Sequence, residues 1–519
     1  MRNTWNIQGN IFGGITAAII ALPLGLAFGV ASGLGATAGI YGAIVLGFFA
    51  SLFGGTPTQI SGPTGPMTVV IAAAVVTLHN DINLLVTAIL LAGCFQIVFG
   101  FLKIGKWVQY IPYPVISGFM SGIGIIIILL QVNPFLGLGS DASILHLIAM
   151  LPSRLSQAHF APMLLATITL LIMFLTPKKI GRIIPTPLIA LVILTPVSVY
   201  TGLTLETIGE IPTSLPSFIV PAFDLANFKN IIIIAFTLAL LGAIDTLLTS
   251  IVVDSVTQTK HNSNRELFGQ GVGNILCSFV GGVPGAGATM RTIVNVKSGG
   301  TNRISGTLHA IVLLLIVIFL APFASQIPMA ILAGILIKVG YDILDYRFLR
   351  VWKGSPRNDL VVMVSVFLCT VFIDLITAVG VGIVLSSLLI VYRISKEANI
   401  SIESEGHEKS KQYNLHEKQA RLIKITGAFF FGSSTAFASG LDSVFDTKII
   451  IIDILEVPFI DLTAIFTLKD LIIRLEGKGM RVVLVLRDKH RQKLLKLNKT
   501  HVFDSVDFYD DVDKAIESI

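Results

Sequence analysis

Asp245 is the most informative charge in the sequence, because it lies within the apolar stretch LALLGAIDTLLTS (residues 238–250). A carboxylate at the centre of a membrane helix costs about 2.5–3.5 kcal/mol even on the lenient insertion scale, so such a residue is a functional candidate by default. Thr249 follows four residues later and would share the same helical face. These oxygens suit a hard cation or a proton. A structural buried acid paired with a distant arginine is the alternative.

Two apolar segments are interrupted by glycine or proline, namely SGPTGPMTVV (residues 61–70) and GAGATMRTIV (residues 285–294). At membrane depth, exposed backbone N–H and C=O groups are costly unless protein or cavity water satisfies them. Many transporters use such broken helices to form a substrate site. We therefore predict that backbone carbonyl groups around Gly287 and Ala288 are the remaining ligands of a cation held by Asp245.

The same two breaks also predict an anion site, with Thr64 at the first break and Thr289 at the second. If a half-helix follows each break, its free N–H groups and positive dipole end favour an anion. Arg291 lies two residues beyond Thr289. It can add positive field to the anion, act as a cytoplasmic gate, or snorkel towards the membrane surface.

The sequence contains no motif that indicates an enzyme. It has no P-loop, no HExxH motif and no cysteine–histidine cluster, and its three cysteines lie in separate apolar segments. The glycines of GQGVG (residues 269–273) favour helix packing over a nucleotide turn, because no strand precedes them. We therefore expect no cofactor, and the only metal ion expected is the hard cation that Asp245 could hold.

The elements that must position these residues belong to a polytopic α-helical membrane protein. Of the 519 residues, 53% are apolar and 13% are charged, whereas a soluble domain is about 25% charged. The net charge of +6 comes from short basic clusters between apolar segments, so a nucleic-acid partner is not expected. No cleavable signal peptide is expected, because Arg2 precedes an apolar run without a small-residue cleavage site.

Fourteen apolar segments can be placed, of which the two with breaks are short. They are residues 11–31, 38–54, 62–78, 82–102, 112–132, 160–176, 184–201, 228–252, 266–282, 286–297, 303–321, 326–343, 358–375 and 377–393. Loops after even-numbered segments are rich in lysine and arginine, and the others are mostly acidic or neutral apart from Arg154. By the positive-inside rule, both termini are expected in the cytoplasm, with the chain in the cell (inner) membrane.

The two interrupted segments belong to an internal repeat. Shifting the first half so that Met67 coincides with Met290 brings Pro23 to within one residue of Asp245. Segments one and eight, and three and ten, are then counterparts in two halves of seven. Because seven is odd, the halves have opposite topology, as in transporters with a site near the midplane.

The composition changes after the last apolar segment. We expect a membrane domain over residues 1–395, a polar linker over residues 396–420, and a cytoplasmic α/β domain over residues 421–519. In this last part, strands are predicted at residues 421–431, 448–455 and 480–486, and helices at residues 433–445, 462–476 and 511–519.

Six motifs together resemble the SulP anion transporters, the solute carrier 26 family. They are ALPLGLAFG (residues 21–29), GIYGAIVLGFFASLFGG (39–55), QISGPTGPMT (59–68), VISGFMSGIGI (115–125), HNSNRELFGQGVGN (261–274) and GAGATMRT (285–292). The resemblance covers essentially the whole chain. It implies seven-plus-seven inverted repeats with UraA-like core and gate domains, elevator-like transport, and a homodimer. It also implies a C-terminal STAS domain, through which the dimer can form.

Within the family, the chain is most similar to the BicA-type branch of sodium-dependent bicarbonate transporters. This resemblance implies Na⁺ binding by Asp245, Thr249, Gly287, Ala288 and Thr289. It implies anion binding by Thr64, Ala288 and Thr289. Arg291 departs from that branch, which has a small residue there, but arginine is common in the wider family.

The STAS resemblance also indicates one residue in the tail. In antagonist-type STAS domains, a serine in an Asp-Ser-Ser-Gly loop is phosphorylated. The loop here reads Asp461-Leu462-Thr463-Ala464, so Thr463 is the candidate phosphoacceptor, with a helix N-cap role as the alternative.

The sequence therefore predicts a secondary transporter of a small inorganic anion in the lipid bilayer, with Na⁺-coupled bicarbonate uptake as the leading hypothesis. A proton-coupled or exchanging transporter of sulfate or a dicarboxylate is the alternative, favoured by Arg291. An anion channel and a signalling protein acting through the STAS domain are the other classes considered.

Overall fold

The computed structural model describes residues 6–106, 110–139, 144–181, 184–202, 205–209, 217–346, 350, 352–397, 399–402, 415, 419–434, 447–498 and 501–519. The chain forms two compact units, residues 1–383 and 384–519. Each unit has its own kind of secondary structure.

The first unit is built from helices, since a helix satisfies its backbone hydrogen bonds within one segment. Its first half contains α1 (Ile7–Ala31), α2 (Ala36–Phe53), α3 (Gly65–Thr77), α4 (Ile82–Phe101), α5 (Tyr113–Leu130), α6 (Val132–Leu136), α7 (Ile144–Leu155), α8 (Phe160–Leu175), α9 (Lys178–Gly181) and α10 (Thr186–Tyr200). The second half contains α11 (Phe228–Thr257), α12 (Ser263–Phe279), α13 (Thr289–Lys297), α14 (Arg303–Ala324), α15 (Met329–Ile343), α16 (Arg357–Phe372) and α17 (Leu375–Glu397), the last of which continues into the second unit.

Each of the fourteen predicted segments coincides with one of these helices, and the two interrupted segments are the short helices α3 and α13. Among the described residues, six helical stretches are long and apolar enough to cross a membrane. There are seven if the bent pair α7 and α8 forms one span. The helix positions match the predicted segments, whereas fourteen membrane crossings stay a prediction.

The helices of the first unit pack in two groups. In the core group, α12 packs on α2 and α4, α11 packs on α3 and α4, and α1 packs on α2, α13 and α14. In the gate group, α5 packs on α15 and α16, and α8 packs on α10 and α15. The core group contains predicted segments one to four and eight to eleven. These are the first four segments of each half of seven, so the two halves contribute equivalent helices to the group.

Helices α4 and α12 approach each other closely at paired glycines. A Cβ added at Gly93 would lie 2.6 Å from the carbonyl oxygen of Gly271, and one added at Gly271 would lie 2.6 Å from that of Gly93. Such a separation is too short for a real Cβ atom, so both positions need glycine. This agrees with the prediction that GQGVG serves helix packing.

The second unit contains a five-stranded sheet. In order across the sheet, the strands are β3 (Asn399–Ile402), β4 (Ala420–Thr426), β5 (Ile449–Asp453), β6 (Arg481–Val485) and β7 (Asp507–Tyr509). Strand β3 pairs antiparallel with β4, and the other neighbours are parallel. The helices are α18 (Leu462–Glu476), α19 (Asp488–Lys496) and α20 (Val512–Glu517).

The central strand β5 is buried on both faces, as parallel strands covered by helices usually are. Ile450 and Ile452 belong to one apolar cluster, which also contains residues of α18. Ile451 points into a second cluster, which contains Ala515 and Ile516 of α20.

The α/β nature of the tail agrees with the prediction, but several details differ. The stretch predicted as a polar linker contains β3, because its backbone pairs with the edge of β4. Strand β7 and helix α19 were also not predicted. Most of the predicted helix at residues 433–445 lies outside the described residues.

Candidate ion-binding site

The two chain breaks meet and pair with each other. Two-residue strands, β1 (Ser61–Gly62) and β2 (Ala286–Gly287), run antiparallel with Ser61 opposite Gly287. The amide of Ala288 also donates to the carbonyl oxygen of Ile60 at 2.8 Å. Backbone groups that two interrupted helices would leave without partners thus satisfy one another, which is how an irregular backbone is tolerated inside a membrane protein. We call this pairing the junction.

A half-helix begins at each side of the junction. Helix α3 has Thr64 as its N-cap and α13 has Ala288, and neither N-cap side chain bonds to the first helical turn. The N–H groups of both first turns, and the positive ends of both helix dipoles, therefore lie at the junction. Thr64 is the N-cap of α3, whereas Thr289 is the first residue of α13, so both lie at their breaks as predicted.

Helix α11 holds the second break through two threonine hydroxyls. The Thr249 Oγ1 donates to the carbonyl oxygen of Gly287 at 2.9 Å and lies 2.6 Å from Thr289 Oγ1. The amide of Gly287 donates to Thr246 Oγ1 at 3.0 Å. The structure thus brings Thr249, Gly287 and Thr289 together. Part of the hydrogen-bonding capacity of Thr249 is used to position the break.

Asp245 lies on the same helix, one turn before Thr249, with the Thr64 hydroxyl beside its carboxylate. Asp245 Oδ2 and Thr64 Oγ1 are buried atoms without a hydrogen-bond partner among the described residues. Buried polar atoms are nearly always paired, so these two neighbouring oxygens have bonding capacity left for a ligand. A carboxylate and a hydroxyl oxygen suit a small hard cation.

Arg291 reaches from α13 across to the first break. Its Nη2 donates to the carbonyl oxygen of Pro63 at 2.6 Å, and its guanidinium lies against Gly62. The side chain is only 2% exposed, so it does not snorkel to the surface. Its Nη1 has no hydrogen-bond partner among the described residues. Its charge also interacts with that of Asp245, so Arg291 provides a positive charge to both the acid and the first break.

Several side chains around the junction were missed by the sequence analysis. They are Thr246 on α11, Gln59 before β1, and Glu266 and Gln270 on α12. Glu266 and Gln270 are four residues apart and share a helical face. A buried acid in an apolar helix is a recognisable signal, but Glu266 was placed at the edge of its predicted segment.

In the second unit, Thr463 is exposed in the first turn of α18. The N-cap of this helix is Asp461, whose Oδ1 accepts from the amide of Ala464 at 2.8 Å and whose Oδ2 accepts from the amide of Phe431 at 3.0 Å. The N-cap role considered for Thr463 is therefore wrong. Its role as a phosphoacceptor stays a prediction.

The helical unit with paired breaks and the α/β tail define a class, that of multi-pass membrane transporters with a C-terminal STAS domain. Residues 7–366 match the family model described as the sulfate permease family, and residues 414–515 match that of the STAS domain. The chain belongs to the sulfate permease family and is an anion transporter, not an enzyme.

Curated relatives are similar over nearly the whole chain. The bicarbonate transporter BicA of Synechocystis is 42% identical over 93% of this chain and 89% of its own length. The bicarbonate transporter BicA of Picosynechococcus is 43% identical over 89% of this chain and 86% of its own length.

Two solved structures are similar to this chain. The transmembrane domain of a cyanobacterial bicarbonate transporter BicA is 47% identical, with a TM-score of 0.69 over 73% of this chain and 98% of that domain. Murine solute carrier 26 family member A9, in an inward-facing state, shares the fold with a TM-score of 0.85. It is 20% identical over 100% of this chain and 92% of its own length.

Proposed function

We propose that the protein takes up bicarbonate into the cell together with Na⁺. The proposal is supported by the names of the two curated relatives, at 42% and 43% identity, and by the chemistry of the junction. Thr64, Ala288 and Thr289, with positive field from Arg291, would bind the anion. Asp245, Thr249, Gly287, Ala288 and Thr289 would hold Na⁺.

The observation that carries the proposal is the position of Asp245 beside the half-helix that starts after Thr64. An anion at the half-helix N-termini would be repelled by an ionised carboxylate nearby. A cation bound at Asp245 removes this repulsion, so each ion strengthens binding of the other. Such reciprocal coupling is what symport requires.

We also propose that transport proceeds by an elevator motion of the core group against the gate group. Most helix contacts lie within one group, although α1 also contacts α10 and α15 and α3 contacts α5, and this division supports the motion. A homodimer, with a contribution from the STAS domain, and cytoplasmic termini in the inner membrane belong to the same proposal. The proposed domain limits are residues 1–395 for the membrane domain, 396–420 for the linker and 421–519 for the STAS domain. We also propose Thr463 as the phosphoacceptor of the STAS domain.

Uptake into proteoliposomes tests the leading function. Labelled bicarbonate should accumulate when an inward Na⁺ gradient is imposed, and an equal K⁺ gradient should give only the background seen in empty liposomes. Equal uptake in both gradients would contradict Na⁺ coupling. Absence of bicarbonate uptake, with the protein correctly folded and inserted, would contradict the substrate.

Proton-coupled or exchanging transport of sulfate or a dicarboxylate is a second candidate. Arg291 favours it, because an arginine provides a full positive charge and bidentate donors that suit a divalent oxyanion. A panel of unlabelled anions competing with labelled bicarbonate distinguishes the two functions. Stronger inhibition by sulfate or a dicarboxylate than by bicarbonate would support the second candidate.

A further inference from the structure

Glu266 is a second buried acid in the core group, and three of its four hydrogen bonds hold one neighbouring segment, residues 55–59. Its Oε2 accepts from the amides of Gly55 and Thr56, both at 2.7 Å. Its Oε1 accepts from Gln59 Nε2 at 2.8 Å and from Gln270 Nε2 at 2.9 Å. The side chain is only 1% exposed. All four partners are N–H donors, so both carboxylate oxygens act as acceptors, as in an ionised carboxylate.

The segment that Glu266 holds leads directly into β1 of the junction. Gln270, bonded to Glu266, also donates to Ser61 Oγ at 2.5 Å. Gln59, the other side-chain donor, accepts from Ser250 Oγ at 3.0 Å. Ser250 follows Thr249 in α11, so the same carboxylate connects the first break with the helix that bonds to the second break.

The positive charges near Glu266 do not displace these bonds. Arg303 interacts with its charge and donates through Nη2 to the carbonyl oxygen of Gly54 at 2.7 Å. Arg265 donates through Nε to the carbonyl oxygen of Phe53 at 3.3 Å. Both arginines thus bond to the C-terminal end of α2, while the carboxylate bonds to the amides that follow it.

We propose that Glu266 is a positioning residue that sets the geometry of the junction through its hydrogen bonds. It does not touch the proposed ion ligands itself. By fixing residues 55–59 and the Ser61 hydroxyl, it determines where β1 lies. Because β1 pairs with β2, it also determines where Gly287, Ala288 and the second half-helix lie.

Amide hydrogen exchange tests this role without any substrate. In Glu266→Ala, we expect the amides of Gly55 and Thr56 to exchange faster, because they lose their acceptor. The decisive result is exchange at residues 285–288, which Glu266 does not contact, and it should become at least about tenfold faster, as expected when local opening becomes easier. Unchanged exchange at residues 285–288 would overturn the proposal.

Glu266→Gln separates hydrogen bonding from charge. The new amide keeps one oxygen for the amides of Gly55 and Thr56, and the amide groups of Gln59 and Gln270 can rotate to accept from it. Exchange at residues 285–288 should therefore stay within about threefold of the parent protein. If residues 285–288 exchange as fast in Glu266→Gln as in Glu266→Ala, the charge of Glu266 holds the junction, and positioning by hydrogen bonds is contradicted.

Two further variants complete the experiment. Thr87→Val is a matched control, because Thr87 is a buried residue of α4 that lies away from the junction. Its hydroxyl donates to the carbonyl oxygen of Ala222 at 2.6 Å, and the substitution removes this bond. It should leave exchange at residues 285–288 unchanged, and faster exchange there would show that any buried defect has this effect. If Glu266→Ala does not fold, Gln270→Leu, which removes the bonds to Ser61 and Glu266, carries the same expectation.

A transport measurement then tests whether the geometry of the junction affects transport activity. This part of the experiment rests on the proposed function. Glu266→Ala should raise the KM for bicarbonate and the half-saturating Na⁺ concentration about tenfold, with a smaller change in maximal rate. Glu266→Gln should recover most of the affinity. Failure of bicarbonate uptake in the parent protein would contradict the proposed function but would leave the exchange result intact. Unchanged affinities in Glu266→Ala would contradict the positioning role.

Discussion

The two sides of the junction have the same backbone plan but different side chains. Helix α3 starts with residues 65–72, which are all buried and almost all apolar. Helix α13 reads TMRTIVNVK and buries Arg291, Thr292 and Asn295. The first break is held by the carboxylate of Glu266 and the side-chain amides of Gln59 and Gln270. The second break is held by the hydroxyls of Thr246 and Thr249 on α11 and by the side-chain amide of Asn274.

Under the proposed function, this difference would let one inverted repeat bind two unlike ions. The backbone supplies two similar helix N-termini, and these favour an anion irrespective of side chains. A carboxylate favours a cation, and α11 has one at Asp245, while its counterpart α1 has Pro23 near the equivalent position. In that proposal, the symmetric backbone would bind the anion and the asymmetric side chains would bind the cation.

The strongest way to break the asymmetry is Asp245→Asn. We expect Na⁺-coupled uptake to fall by about two orders of magnitude, which corresponds to about 2.8 kcal/mol at about 1.4 kcal/mol per tenfold. Folding should be retained, because a neutral amide is less costly to bury than a carboxylate. Asp254→Asn, an acid near the end of the same helix that pairs with His261, is the control. Uptake unaffected by Asp245→Asn would contradict the cation role.

The next largest effect is expected from Arg291→Met, which removes the charge that the second half contributes. The KM for the anion should rise about tenfold, because a hydrogen bond to a charged group contributes about 1.5–3 kcal/mol. The half-saturating Na⁺ concentration should fall, because a competing positive charge near Asp245 is lost. Arg291→Lys keeps the charge and should recover part of the anion affinity. An unchanged KM in Arg291→Met would show that the half-helix ends suffice.

The smallest effects compare two isosteric changes, Thr249→Val and Thr64→Val. Thr249→Val removes the bond to the Gly287 carbonyl oxygen and should destabilise the folded protein by about 1–3 kcal/mol. Thr64→Val removes a hydroxyl without a protein partner among the described residues, so its unfolding free energy should change by less than about 0.5 kcal/mol. Thr64→Val should instead weaken bicarbonate binding several-fold, because Thr64 is a proposed anion ligand. Thermal unfolding with and without bicarbonate measures both effects. A destabilised Thr64→Val with unchanged bicarbonate binding would contradict this assignment.

Much of the first unit was predictable because its signals are local. A run of about 20 apolar residues indicates a membrane helix, and glycine or proline within such a run indicates a break. The positions of α3, α13 and Asp245 follow from these rules, as does the division into two halves. The first residue of each half-helix was less predictable, because neither Thr64 nor Ala288 makes a side-chain capping bond.

The residues missed by the sequence analysis depend on contacts that are distant in the chain. Glu266 bonds to Gly55, more than 200 residues away in the sequence, and no local sequence pattern predicts that hydrogen bond. In the second unit, β3 became a strand because the edge of β4 was available. Its own sequence, NISI, is too short to indicate a strand with confidence.

The sequence by itself determined the class of protein, the two breaks and the acid near them, because hydrophobic length, backbone breaks and buried charge are properties of single segments. Only the tertiary structure decided that β1 pairs with β2, that Thr249 holds Gly287, and that Arg291 reaches Pro63. The physical reason is that buried polar groups must find partners, and which partner each group finds depends on how distant helices pack.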